Sequence, residues 1–135
     1  MFKKTATILC FSMLPLSAMA DGHITGDAEK GERVFKKCKA CHAVGADAKN
    51  KAGPILNGLI DRQMAQVEDF KYSDVLVALG EDGKTWSPEE LSAFLEKPRT
   101  YAKGTKMSFA GLRKEKDRDN VIAFLASFDA DGNEK

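Results

Sequence analysis

The apolar residues of this chain gather into short helical stretches separated by long polar or glycine-containing segments. From about Asp27 to Lys39, the residues Ala28, Gly31, Val34, Phe35 and Cys38 recur on one face, the spacing of an amphipathic helix. A second short helix is expected from Ser73 to Leu79, stopped by Gly80. The next opens at Ser87-Pro88-Glu89-Glu90, a capping box with proline at the first helical position. It ends at Lys97-Pro98, because a residue before proline is pushed out of the helical region. A last helix spans roughly Asp117 to Phe128, with Val121, Ile122, Phe124, Leu125 and Phe128 apolar. No strand pattern competes, so the chain is expected to be all-α.

The stretch from Ala43 to Lys71 breaks that pattern. It carries Gly45, Gly53-Pro54 and Gly58 and no helical period. A structureless segment of that length is unusual in a compact domain, unless a large ligand supplies its packing partner. Cys38-Lys39-Ala40-Cys41-His42, immediately before it, says which ligand. Two thiols three apart, followed directly by an imidazole, have the spacing used to attach a c-type haem covalently. Each thiol adds to one vinyl group of the porphyrin, and the next side chain is carried under the ring, where His42 can ligate iron. A structural zinc site needs two more thiolates or imidazoles, and only Cys10 and His23 stand outside the motif. A thioredoxin-like dithiol needs a preceding strand, and the flanks here are helical and charged.

Residues 1–20 read as a cleaved secretory signal, leaving residues 21–135 as a single domain. Lys3 and Lys4 precede an apolar stretch from Thr5 to Leu16, and Ala18-Met19-Ala20 is a small-x-small cleavage site. The apolar stretch is too short, and too interrupted by Ser12 and Pro15, to serve as a mature membrane span. Cleavage removes Cys10 and two lysines, leaving 19 basic against 20 acidic residues. That balance excludes a nucleic-acid binder by composition. The distribution is more telling than the sum. Lys97 to Arg118 holds eight basic residues and two acids, whereas Asp119 to Lys135 holds four acids and one lysine. A basic docking face accounts for that clustering.

With those motifs in view, the chain resembles the soluble class I cytochromes c of the mitochondrial and purple-bacterial kind. The likeness runs from Gly26-Asp27-Ala28-Glu29-Lys30-Gly31 to the last helix, and its most specific block after the haem motif is Pro98-Arg99-Thr100-Tyr101-Ala102-Lys103-Gly104-Thr105-Lys106-Met107-Ser108-Phe109-Ala110-Gly111. It implies the class I cytochrome c fold: about four to five helices and long loops wrapped round one haem c, covalent through Cys38 and Cys41. The methionine of Gly-Thr-Lys-Met is the family's distal ligand, which makes His42 and Met107 the implied axial pair. Once the leader is gone, Met64 and Met107 are the remaining thioethers, and Met64 stands in a polar stretch.

The resemblance also implies that the Pro54 carbonyl takes the second ring proton of His42. It implies that Arg62, Tyr72 and Trp86 serve the haem propionates, and it includes Thr105 among the haem-binding positions. Gly31 and Phe35 match the crossing of the first helix on the last, against Phe124 and Leu125. Phe94, Leu76 and Ile55 stand where relatives carry a tyrosine and two asparagines, and Ala102-Lys103 lacks the proline usual before Gly104.

The function implied is a periplasmic one-electron carrier without a membrane anchor, expected to be monomeric. Its expected donor is a membrane cytochrome bc complex, and its acceptor an oxidase, a photosynthetic reaction centre or a periplasmic reductase. Lys36, Lys37, Lys39, Lys97, Lys103, Lys106 and Arg113 are the expected steering face. The alternatives are a peroxidase-like haem enzyme or a gas-ligand sensor with an open distal site. Neither a distal His/Arg pair nor an effector domain supports them, and His23 reads as a surface residue.

Overall fold

Helix α1 (Ala28–Phe35) begins where the Asp27 carboxylate accepts the Lys30 backbone N–H at 3.0 Å and pairs with its ammonium at 2.7 Å. Such a cap satisfies one of the orphan donors of a first turn. The structure, a computed structural model, describes residues 22–135, so the expected leader lies outside the described residues. Helix α2 spans Asp74–Glu81, α3 Pro88–Glu96, α4 Pro98–Tyr101 and α5 Glu115–Ala126. The expected α3 cap is half formed: Ser87 Oγ accepts the Glu90 N–H at 3.2 Å, while the Glu90 carboxylate turns to Lys84 and Tyr101 instead of the Ser87 N–H.

Helix α1 packs against α5, and α3 against both α5 and α4. Two glycines set the closeness of the first crossing. A Cβ on Gly26 would fall 1.9 Å from the Asp119 carbonyl, and one on Gly31 would fall 1.9 Å from that of Asn120. Asn120, buried in α5, accepts the Asp27 N–H at 2.9 Å and ties the start of α1 to it. The Phe35 ring then reaches Phe124 at 5.2 Å. Burial of a side chain such as Phe35 contributes about 1.5–3 kcal/mol. The expected crossing of Gly31 and Phe35 on the last helix is thus present.

Several boundaries differ from expectation. Helix α1 ends at Phe35 rather than near Lys39, because the chain tightens into three-residue turns: Lys37 N–H donates to the Val34 carbonyl at 3.0 Å and Cys38 N–H to Phe35 at 2.8 Å. Gly80 does not stop α2; it is buried within it, because the Met64 carbonyl stands 2.2 Å from where a Cβ would sit. The chain leaves the helix at Gly83, whose φ of 81° suits glycine. The four-residue α4 was not expected. Helix α5 starts at Glu115 and ends at Ala126, two residues earlier at each end, and Phe128 instead bridges to Glu134.

Among the described residues there is no β-strand, only the isolated bridges Gln63↔Thr85 and Phe128↔Glu134. The long connection between α1 and α2 is held by Asn57, whose amide both accepts from Gly45 N–H and donates to Gly45 carbonyl, each at 2.9 Å. It contains three non-glycine residues with left-handed backbone, Asp61, Ala65 and Asp69. Met64 lies between them and is fully buried, at 0% exposure. Its polar sequence neighbours gave the wrong impression; its thioether belongs to the core.

Candidate functional site

The Cys38–His42 pentad forms one turn. Both Cys41 N–H and His42 N–H donate to the Cys38 carbonyl, at 3.1 and 2.9 Å. The two thiols are free, Cys38 half-buried and Cys41 exposed, and burial raises the Cys38 thiol pKa, partly opposed by Lys37. His42 Nδ1 donates to the Pro54 carbonyl at 2.7 Å. That bond fixes the tautomer, leaving the Nε2 lone pair for a metal. Gly53 makes the arrangement possible, because a Cβ there would lie 2.4 Å from His42 Cε1. Burial lowers the His42 pKa, the Pro54 bond opposes this, and the Lys51 charge lowers it further. Burial and the Lys51 charge favour the neutral, ligating imidazole, while the Pro54 bond holds its proton at Nδ1. Beside it opens a cleft of about 490 Å³ lined by Phe35, His42, Phe124 and Phe128, with Lys39 and Lys51 at its edge.

A second group of predicted residues converges on Arg62. Its Nη1 donates to the Asn57 carbonyl at 2.7 Å and its Nη2 to that of Ile55 at 3.5 Å, next to Pro54. Trp86, which is buried, is brought to it by the backbone: Trp86 N–H donates to the Arg62 carbonyl at 2.8 Å, and Asp61 N–H to the Trp86 carbonyl at 2.9 Å. The Tyr72 hydroxyl accepts the Val67 N–H at 3.2 Å, and burial pushes its pKa upward. Burial likewise lowers the Arg62 pKa, with Tyr72 opposing.

Among the described residues, two buried donors have no protein partner: Arg62 Nε and Ser73 Oγ. Leaving a buried polar group unpaired costs about 1–3 kcal/mol. Arg62 Nε and Ser73 Oγ, with the Tyr72 hydroxyl that lies near Arg62, offer donors of the kind carboxylates need, which fits haem propionates. Ser73 was missed in the sequence, where it is only the first residue of the expected second helix; in the structure it is the N-cap of α2, and its side chain makes no cap bond.

Met107 is half-buried and packs on the core. Its N–H donates to Thr105 Oγ1 at 3.3 Å, and the neighbouring Lys106 ammonium donates to the Tyr72 carbonyl at 3.1 Å. The distal segment is thereby joined to the Arg62–Tyr72 group. Phe94 and Leu76, both departures from the family pattern, are buried apolar residues.

All seven residues of the expected steering face, Lys36, Lys37, Lys39, Lys97, Lys103, Lys106 and Arg113, are exposed. Arg118, counted with the basic cluster in the sequence, is buried and engaged with the carbonyls of Leu112 and Arg113 and with Ser92 Oγ. His23 is exposed, as expected.

Residues 28–129 match the family Cytochrome c. The chain belongs to the cytochrome c family. It is 52% identical over 103 residues to cytochrome c-550 of Ancylobacter novellus, covering 76% of this chain and 96% of that protein. Cytochrome c2 of Blastochloris viridis is 41% identical over 127 residues, covering 94% of this chain and 98% of the relative. The solved structure of cytochrome c2 from Rhodospirillum centenum superposes with a TM-score of 0.72 at 46% identity, covering 77% of this chain and 99% of that one. This cytochrome therefore has the class I fold expected from its sequence, and it is an electron-transfer protein rather than an enzyme.

Proposed function

We propose that this cytochrome c carries one electron at a time on a haem bound through Cys38 and Cys41, with His42 as proximal and Met107 as distal ligand. The observation that carries the reading is the His42 Nδ1 bond to the Pro54 carbonyl at 2.7 Å over Gly53, which presents one ring nitrogen to a metal and occupies the other. Bound haem supplies the ferrous–ferric change, and His–Met ligation raises its potential.

The chain's own residues do the rest. Pro54 and Gly53 orient His42 and hold its proton at Nδ1. Arg62 and Ser73 supply donors to the propionates, with Tyr72 and Trp86 beside them, so that carboxylates can be buried without an uncompensated charge. Phe35, Phe94 and Leu76 exclude water from the interior. The thioether of Met107 would be the chain's second ligand to the iron of a bound haem, leaving substrate no place there. Thr105 accepts the Met107 N–H and orders the segment that carries it.

Residues 1–20 act as a cleaved leader, and the product works in the periplasm as a monomer. The chain then takes electrons from a membrane cytochrome bc complex and passes them to an oxidase, a reaction centre or a reductase. Names of relatives such as cytochrome c2 support this place in electron transport. The exposed Lys36, Lys37, Lys39, Lys97, Lys103, Lys106 and Arg113 steer acidic partners. Transfer rates are therefore expected to fall steeply with ionic strength; a flat dependence removes the steering role. Denaturation and carbon monoxide test the central reading. The unfolded chain is expected to keep its haem, and the native reduced protein not to bind carbon monoxide at neutral pH. Ready binding would instead show an open iron, the mark of a sensor or catalyst.

A further inference from the structure

Three aromatic rings stand in a row beside the distal segment. Trp86 meets Phe94 at 5.0 Å between centroids, and Phe94 meets Tyr101 edge-on at 5.7 Å and 81°. The row ends on a polar pair, with the Tyr101 hydroxyl donating to Oε2 of Glu90. The other Glu90 oxygen, Oε1, accepts the Lys84 ammonium at 2.7 Å. The Glu90 backbone is anchored at the start of α3, where its N–H is bound to Ser87 Oγ at 3.2 Å.

From Tyr101 the chain runs to Met107 through consecutive short contacts. Ala102, at 0% exposure, donates its N–H to the Pro98 carbonyl at 2.9 Å, and Thr105 N–H donates to the Ala102 carbonyl at 2.9 Å. Met107 N–H then donates to Thr105 Oγ1 at 3.3 Å. The middle of this turn is open: Lys103 and Gly104 are exposed, Gly104 has a φ of 97°, and nothing lies within 4 Å of its Cβ position. A turn so loosely packed is governed by its ends. At one end Lys106 reaches the Tyr72 carbonyl from an exposed position. At the other stands the Tyr101–Glu90 bond.

We propose that Glu90 is a positioning residue for the distal ligand: held by Lys84, its carboxylate fastens the Tyr101 hydroxyl and keeps the 102–107 turn closed so that Met107 stays on iron. The inference rests on the Met107 reading above. Two directions of charge agree with it. Lys84 first and Tyr101 second hold the Glu90 carboxyl below its ordinary range, so it remains a charged acceptor. Burial first and Glu90 second push the Tyr101 phenol well above its ordinary range, so it remains a donor. Hydrogen bonds to ionised acceptors are roughly twice as strong as neutral ones.

The test uses the haem-loaded protein and its Tyr101→Phe, Glu90→Gln and double variants. Imidazole binding to the ferric form reads the Met107-off population, because the iron must open first. Each single variant is expected to bind imidazole about threefold more tightly, and the double no more tightly than either single. Amide hydrogen exchange is expected to quicken at Thr105 and Met107 and to stay unchanged at His42 and Gly53. Tyr101→Phe keeps the ring against Phe94, so it carries the test alone if Glu90→Gln fails to fold. Variants that lower the unfolding midpoint yet bind imidazole as the wild type does would overturn the proposal while leaving Met107 as ligand. Absence of the weak red-region sulfur-to-iron band in the wild type would overturn both.

Discussion

The two sides of the haem site are built by different means. On the proximal side most of the contacts draw on backbone groups within a short span: His42 N–H to Cys38, Gly53 N–H to Cys41 at 2.8 Å, Leu56 N–H to Ala43 at 3.0 Å, and the Pro54 carbonyl to His42 Nδ1. On the distal side the fastenings are side chains from distant parts of the chain, such as Lys106 to Tyr72, 34 residues apart, and Tyr101 to Glu90. Backbone contacts cannot be lost by rotating a side chain; tethers through Lys, Tyr and Glu can. On the proposed ligation, His42 is therefore expected to be the permanent ligand and Met107 the exchangeable one. That asymmetry suits a carrier whose haem must stay attached while its sixth ligand only excludes competitors.

The largest expected effect lies on the backbone side. Gly53→Val puts carbon where the His42 ring lies, with Cε1 2.4 Å from the first added atom. A loss of about 3 kcal/mol in denaturant unfolding, with poor haem attachment, is expected. A well-folded Gly53→Val protein with ordinary haem content would show that the two sides are equally pliable. Next comes the group between them. Arg62→Leu strips the buried Asn57 carbonyl of its 2.7 Å donor and leaves the propionates without their cation. A loss of about 2 kcal/mol is expected, checked by the same unfolding curve.

Acid sharpens the contrast by a smaller amount. The folded Glu90 carboxyl sits below its ordinary value, with Lys84 the first cause and Tyr101 the second. Its stabilising contribution is complete above the unfolded value and disappears as the pH falls through the folded one. Because both Lys84 and Glu90 are partly in solvent, at 44% and 34% exposure, the contribution is under about 1 kcal/mol. Stability measured from neutral pH to about pH 3 is expected to fall more steeply in the wild type than in Glu90→Gln; equal slopes would remove Glu90 from the account. Smallest is a gain. Ala65 adopts a left-handed φ of 58°, so Ala65→Gly is expected to raise stability by up to about 1 kcal/mol, read as a shift in the urea midpoint.

The proximal side was legible because its parts are local. The Cys38–His42 pentad declares a covalent haem by spacing alone, and the Ser87–Glu90 box marks a helix start that the structure reproduces. The distal side was legible only through the family block around Met107, since no local rule distinguishes that methionine from another. Met64 shows the limit: it stands in a polar stretch, yet tertiary packing buries it completely. Gly80 and Arg118 teach the same lesson, one reading as a stop and the other as a surface charge. Each takes its role from a residue remote in sequence, the Met64 carbonyl for one and Ser92 for the other. Ser73 stayed hidden because its side chain lacks a protein partner altogether, and that need becomes visible only once the buried site is assembled.

One comparison tests the account most directly: the red-region sulfur-to-iron band of the ferric protein in the wild type, in Met107→Ala and in Met64→Leu. The account predicts the band in the wild type and in Met64→Leu, and its loss in Met107→Ala together with binding of carbon monoxide by the reduced form. A band that survives Met107→Ala would contradict it, because the iron would then be closed by some other sulfur and the distal side would have been assigned to the wrong part of the chain.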